Sequence, residues 1–442
     1  MPPLLQLNPQ DVDSLDKRRK FNVAVVGCGH KGIFFANAFA DAGFSVVCTD
    51  ADASVVKKVA KGKTAFCDAS AEAKLKSHIA AEKIDVTSDL KKTVAQSDVV
   101  VIAISTRVDE QKKTDDNGLI NTCKQVGAAL QQGALVVYGG IAALGFVDGT
   151  VRELLENTSG LKVGQDFGLA YCPILTTNVS LANSGVRVAA DDKASLAAAS
   201  TILKTLTNRV QEVNDLKTAQ VATLFTIAKQ DATNALTNEL AIFCETANID
   251  YYNVLDVLNL NDPSFHPSIA EGENHEAAYL LLESAENLNA KLRLAALARQ
   301  INEDMVKHAV NLTQEALRNA GKSLRRGRVA VLGSANPAAA TCMFAKLIEQ
   351  KGAKVAVYDP AAKKEAKEAG LIKTSLNEAV EGADCIVTLT GQEQISHLNL
   401  KKLKALMKSP PVVVDLVGKF DPSQVETEGF IYTGLGRGTG KK

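Results

Sequence analysis

FNVAVVGCGHKG (21–32), IFFANAFADAG (33–43) and FSVVCTD (44–50) follow one another without a gap. Their order is a short β-branched strand, a glycine turn, an Ala- and Phe-rich helical stretch, and a second strand closed by an acid. In Gly27-Cys28-Gly29-His30-Lys31-Gly32, the first glycine permits a tight turn and the second lets the backbone approach a pyrophosphate. The third lets helix and strand pack closely, and the helix start, with the backbone N–H groups of His30 and Lys31, faces the negative charge. Asp50 comes eighteen residues after Gly32. It is placed to accept hydrogen bonds from an adenosine ribose, and its charge repels a 2′-phosphate, so NAD is expected rather than NADP. Ser105 and Thr106, which close the strand-like run DVVVIAIST (98–106), complete the candidate cofactor-binding set.

Outward from this unit, strand-like runs alternate with helical stretches through ALVVYGG (134–140), which calls for a parallel sheet with helices on both faces. From about 217 to 259 the pattern becomes one helical stretch with apolar residues every three or four positions, and a further helical segment spans about 276 to 320, ending at Asn319-Ala320-Gly321. LRRGRVAVLGS (324–334) then restarts strand, turn and helix, followed by AKVAVYDP, DCIVTLT and PPVVVDLV. The expected architecture is α/β, two Rossmann-like doubly wound units joined by a central α-helical dimerisation domain. The boundaries are a leader over 1–20, a cofactor domain over 21–215, helices over 216–322 and a second α/β domain over 323–442.

The 442 residues carry 50 Lys+Arg and 50 Asp+Glu. Zero net charge provides no long-range field for phosphate backbones or anionic lipid, which excludes nucleic-acid and membrane-surface roles and leaves a small-molecule ligand as the expectation. No apolar run approaches the roughly 20 residues of a membrane span, and the first residues lack the order of a secretory signal, so a cytoplasmic location is expected. Eight cysteines (28, 48, 67, 123, 172, 244, 342, 385) are scattered without a C-x-x-C pair and read as buried reduced thiols. No metal site is expected, because the acidic stretch Glu271–Glu276 reads as a solvated loop, as does Asp115-Asp116.

VVGCGHKG with Asp50, SDVVVIAIST (97–106), LENTSGLKVGQDFGLAYCP (155–173), TNELAIFCETANID (237–250), GAKVAVYDP (352–360), VEGADCIVTLT (380–390) and GFIYTGLGRG (429–438) occur in that order. In this order the chain resembles the UDP-glucose/GDP-mannose dehydrogenase family, including its UDP-N-acetylmannosamine dehydrogenases. The resemblance implies an N-terminal NAD domain, a central helix that forms a homodimer, and a C-terminal domain that holds a nucleotide-sugar. It also implies oxidation of the sugar C6 alcohol to a carboxylate in two NAD-dependent steps through a covalent cysteine thiohemiacetal.

The residues for that chemistry depart from the family pattern. HPSIAEGENHEAAYLLLESA (266–285), where the resemblance implies the nucleophile, contains no cysteine, and His275 or Glu276 falls near its place. Helical spacing back from Asn238-Glu239 puts Thr223 and Ile227 where the family has a Lys and an Asn. Gly139 stands for an acid, Pro173-Ile174 for Pro-Glu, and Asp415-Leu416-Val417-Gly418 for the Asp-Gly-Arg-Asn sugar contact. The loop after the second unit's first strand is reduced to GSANPAAAT (333–341). The expectation is a catalytically degenerate NAD-binding member. The alternatives are an NAD-dependent oxidoreductase with altered chemistry, for which His275 is the candidate acid or base, and a structural dimer without ligand.

Overall fold

The computed structural model describes residues 4–64, 69–109, 111–177, 181, 185–260, 262–269, 276–333, 340–359, 372–373, 375–389 and 398–438. The chain forms two compact units, one of Met1–Ile227 with Glu276–Lys291 and one of Ala228–His275 with Leu292–Lys442. Both contain Rossmann-like sheets.

The first unit's main sheet uses β1 (Asn22–Val26), β2 (Ser45–Thr49), β3 (Ile84–Thr87), β4 (Val99–Ile102), β7 (Leu135–Tyr138), β8 (Gly168–Tyr171), β9 (Val186–Ala189) and β10 (Val210–Val213). A separate hairpin pairs β5 (Arg107–Val108) with β6 (Thr114–Asp115). The main sheet's order is β10-β9-β8-β7-β4-β1-β2-β3, so the chain reverses direction of travel between β1 and β4. Successive residues of one strand point to opposite faces: Val23, Val25, Val99 and Val101 enter one core, and Ala24, Val26, Val100 and Ile102 the other. Each fully buried Val or Ile side chain contributes about 1.5–3 kcal/mol. The fully parallel sheet expected from the sequence is modified at one edge. β8 and β9 are antiparallel, meeting at Tyr171 and Ala189, whereas β9 and β10 are parallel to each other. Parallel pairing needs a long crossover; the helix Lys193–Leu203 provides it between β9 and β10.

In the second unit, β11 (Arg328–Leu332), β12 (Lys354–Tyr358), β13 (Cys385–Thr388), β14 (Val412–Asp415) and β15 (Ile431–Gly434) form a parallel sheet of order β12-β11-β13-β14-β15. Its direction reverses between β11 and β13. The long helix Leu216–Thr246 begins in the first unit and ends in the second. The single helical stretch expected over 217–259 is broken after Thr246. Asn248 takes a left-handed conformation at φ 57°, and Asp250 starts a new helix, Tyr251–Leu258, by accepting from the Tyr252 N–H. Within the second unit Asp231 of the long helix is bound by Arg299 and Asn302 of the helix Arg293–Asn319, at 2.8 and 2.9 Å, all three side chains being buried. That helix stops at Asn319, with Gly321 at φ 70°, as the sequence predicts.

Among the described residues no helix is long and apolar enough to cross a membrane, and no cluster of His, Cys, Asp and Glu could hold a metal ion. Cys28, Cys48, Cys123, Cys172, Cys244 and Cys385 are buried free thiols, Cys342 is half-buried and free, and Cys67 lies outside the described residues.

Candidate functional site

β1 runs into a turn whose three glycines meet different surroundings. Gly27 has φ 98°, and a Cβ there would sit 2.7 Å from the Ile104 side chain. A Cβ on Gly32 would lie 1.7 Å from the Gly27 carbonyl oxygen, so helix and strand can approach this closely only with glycine. Gly29, the N-cap of the helix His30–Asp41, has nothing within 4 Å of its Cβ position. The space at Gly29 is therefore open at the helix start, where the helix dipole favours an anion.

Asp50, at the end of β2, holds this turn in shape. Its carboxylate accepts from the Cys28 N–H at 2.7 Å and from the Asp52 N–H at 2.9 Å. One bond to each oxygen leaves further lone pairs for ribose hydroxyls. Across the reversal point, Lys31 Nζ donates to Ser105 Oγ at 2.7 Å, and the Ile141 N–H donates to the same oxygen at 3.1 Å. The Thr106 N–H donates to the Ile141 carbonyl at 3.0 Å, tying together the chain segments after β4 and β7. Six of the sequence-selected residues thus line the turn and its strand (Gly27, Gly29, His30, Lys31, Gly32, Asp50), and Ser105 joins them through Lys31. Thr106 is buried, with its side chain directed to the protein interior. The sequence reading gave Lys31 a backbone role; its side chain also bridges the turn to Ser105.

Behind this edge lies a buried polar cluster. Tyr138 and Tyr171 end β7 and β8 in register, their rings stacked with centroids 6.0 Å apart. Their hydroxyls, with Thr106 Oγ1 and Asp116 Oδ1, close no hydrogen bond of good geometry among the described residues. Burial pushes both tyrosines up in pKa. Burial also raises Asp116, against a lowering by the Thr106 hydroxyl, while the charges of Glu283 and Asp115 add to the rise. Asp116 is therefore a half-buried acid rather than the solvated loop charge expected from the sequence. The hairpin before it is fastened to the helix Ala277–Asn287: the Thr114 N–H donates to Glu283 at 2.9 Å, and Lys112 sits 5.1 Å over the Tyr279 ring.

Residues 21–184 match the NAD binding domain of the UDP-glucose/GDP-mannose dehydrogenase family, and residues 338–422 match its UDP binding domain. The chain belongs to this family. It is similar to the UDP-N-acetyl-D-mannosamine dehydrogenase of Pyrococcus horikoshii, at 28% identity over 94% of this chain and 99% of that protein. It is also similar to the UDP-glucose 6-dehydrogenase of Rhizobium meliloti, at 23% identity over 94% and 99%. Among solved structures, the UDP-D-ManNAc dehydrogenase of P. horikoshii superposes with a TM-score of 0.81 at 25% identity, covering 95% of this chain and all of that one. The NDP-N-acetyl-D-galactosaminuronic acid dehydrogenase of Methanosarcina mazei gives 0.73 at 26% identity, covering 96% and 98%. The family's cofactor is NAD, which when bound accepts a hydride. The open space at Gly29 and the carboxylate of Asp50, which retains acceptor capacity, fit such a dinucleotide.

Several of the positions singled out in the sequence are packed. A Cβ on Gly139 would meet the buried Phe35 ring at 2.4 Å, and one on Gly140 would meet the Ile104 carbonyl oxygen at 2.0 Å. Thr223 is fully buried and donates to the Ala219 carbonyl at 2.8 Å; Ile227 and Ile174 are buried too. His275, Glu271 and Glu273 lie outside the described residues, whereas Glu276 is exposed at the start of the helix Ala277–Asn287. In the second unit, Asp415 at the end of β14 is fully buried. It accepts from Thr388 Oγ1 at 2.9 Å, the Phe420 N–H at 2.8 Å and the Val417 N–H at 3.2 Å, with the Tyr432 hydroxyl at 3.5 Å. Gly418, at φ 65°, lies against Tyr252, whose ring stacks under Arg437 at 4.1 Å. Asp116 and Asp415 escaped the sequence reading as interior groups; the available signal was that each stands where a strand or hairpin ends and the chain turns.

Proposed function

We propose that this chain binds NAD through Gly27, Gly29, His30, Lys31, Gly32, Asp50, Ser105 and Thr106, carries a nucleotide-sugar in its second unit, and does not perform the cysteine-dependent four-electron oxidation. The observation that carries this reading is Thr223. Where the family pattern has a lysine one helical turn before an asparagine, this chain has a sealed threonine bonded to its own helix, followed by the buried Ile227. Neither side chain can supply charge to a developing oxyanion, and such a group commonly contributes 10² or more in rate. Gly139 supports the same reading, since an acidic side chain there would overlap Phe35.

The decisive measurement is a thermal-shift series with NAD, NADP, UDP and a panel of UDP-sugars, followed by NADH absorbance under each condition. The reading expects stabilisation by NAD and by a uridine nucleotide without NADH production. Steady NADH formation from any UDP-sugar overturns it in favour of an active oxidoreductase, and the absence of any shift overturns ligand binding.

The chain acts as a homodimer through the long helix. Leu236, Leu240 and Phe243 are 58%, 46% and 65% exposed and, spaced by four and three residues, lie on one helix face. A second copy of this chain is the occupant that the family resemblance implies for that face. Light scattering of the intact protein should give a dimer mass, and Phe243→Asp should shift it toward monomer; a monomeric unmodified chain defeats the assignment.

A further inference from the structure

The helix that rises from the glycine turn, His30–Asp41, has no basic residue in its last turn and ends on an acid. A helix end carries about half a negative elementary charge, so the helix's own sequence leaves that end without a matching cation. Asp41 is taken up by Lys74 and His78 of the helix Ala69–Ala80, at 3.1 and 2.8 Å. The cation for the backbone comes from the segment before β1. Arg18 Nη1 donates to the carbonyl of Ala42, the C-cap of the helix, at 2.8 Å. The same guanidinium gathers its own segment: Nε donates to the Val12 carbonyl at 2.7 Å and Nη2 to the Asp13 carbonyl at 3.3 Å. A planar fork of N–H donors holds three carbonyls in fixed directions, which a lysine cannot do. Leu15 lies over Gly43, where φ is 94° and a Cβ would come within 2.6 Å of the leucine side chain.

This segment is itself anchored. Leu4, Leu7, Val12 and Phe21 are buried in the core that holds Phe39 of the helix His30–Asp41, and the Leu4 N–H donates to the Gly133 carbonyl at 3.0 Å. The helix has twelve residues and is therefore about 18 Å long. Its first turn is seated by Gly32 against the Gly27 carbonyl, and its far end by Arg18. Two points set an axis, and the axis aims the helix dipole at the glycine turn. We propose that Arg18 is a positioning residue for the dinucleotide: by holding the Ala42 carbonyl it fixes the far end of the helix and so sets the direction in which the helix start meets the cofactor. This rests on the assignment of NAD to the glycine turn and adds to it a remote residue that acts through the helix.

The test measures the dissociation constant of NAD for the full chain, at a temperature at which circular dichroism shows each variant to be folded. Arg18→Met should weaken NAD by about three- to tenfold. Arg18→Lys keeps the charge, loses the fork and should recover part of that loss. Millimolar ethylguanidinium should restore affinity to Arg18→Ala, and sodium chloride at the same concentration should not. Wild-type NAD affinity in a folded Arg18→Met protein overturns the positioning role and leaves Arg18 a structural cap alone. Should the Arg18 variants not fold, Leu15→Asp carries the test, because Leu15 is exposed and an acid there sets a further negative charge beside the helix end. It should weaken NAD about threefold, and wild-type affinity overturns the proposal. Failure of the unmodified chain to bind NAD is a separate result, which brings down the NAD assignment and the positioning role with it.

Discussion

The two Rossmann-like sheets treat the polar groups at their strand ends in opposite ways. In the second unit Asp415 closes β14 and is enclosed by donors: a threonine hydroxyl, two backbone N–H groups and a tyrosine. In the first unit Tyr138 and Tyr171 close β7 and β8 with hydroxyls that, like Thr106 Oγ1 and Asp116 Oδ1, find no partner of good geometry among the described residues. A buried polar atom left unsatisfied costs about 1–3 kcal/mol, whereas a satisfied network rigidifies the site that contains it. One architecture thus holds a polar knot that fixes the turn after β14, and a polar cluster poised beside a cofactor turn. Similar strand order is no guide to how a strand end is used.

The largest effect that sharpens this contrast is expected at Asp415. Asp415→Ala removes the acceptor of four donors, leaving the Thr388 hydroxyl and the Phe420 N–H buried without it, and should destabilise the protein by about 2–4 kcal/mol in denaturant unfolding. A cost below about 1 kcal/mol would mean that the knot is not a stabilising feature. Asp116→Asn comes next and is read as a pH dependence. Because burial raises the folded acid above its ordinary value of 3.8, the native protein binds more protons than the unfolded chain between that value and the folded pKa. Stability of the unmodified protein therefore falls as pH rises through this window. Asp116→Asn should remove that part of the decline, so that its melting temperature gains on the unmodified protein from acid to neutral pH; parallel curves would contradict the assignment. The smallest effect is expected for Tyr138→Phe, within about 1 kcal/mol of wild type and on the neutral or stabilising side. A larger loss would show that the hydroxyl is bonded in solution and would erase the contrast between the sheets.

Much of this architecture is readable from residue order because its signals are local. Alternating Val, Ala and Ile in 23–26 and 99–102 sorts directly into two cores, and Gly27 and Gly32 have the steric roles that their spacing implies. The Asn319–Gly321 stop is also local. What escaped depends on distant partners. The raised pKa of Asp116 comes from burial by tertiary packing and from the charge of Glu283 on a helix far along the chain, and the bond from Lys31 to Ser105 exists only once β1 and β4 are neighbours. The antiparallel edge at β8 and β9 gives no composition signal, since both strands are short and apolar whichever way they run. The break at Asn248 is hidden because asparagine tolerates the left-handed conformation without the glycine that would mark it.

Gly139 and Phe35 also bear on the route by which such a chain could change. An acidic residue introduced at 139 has to occupy space that the Phe35 ring fills, and a smaller residue at 35 leaves a cavity in a fully buried layer unless position 139 fills it. Each change is harmful without the other. Two neighbouring sites, distant in sequence, must therefore move together, so the present packing acts as a ratchet against stepwise introduction of an acidic residue at this strand end.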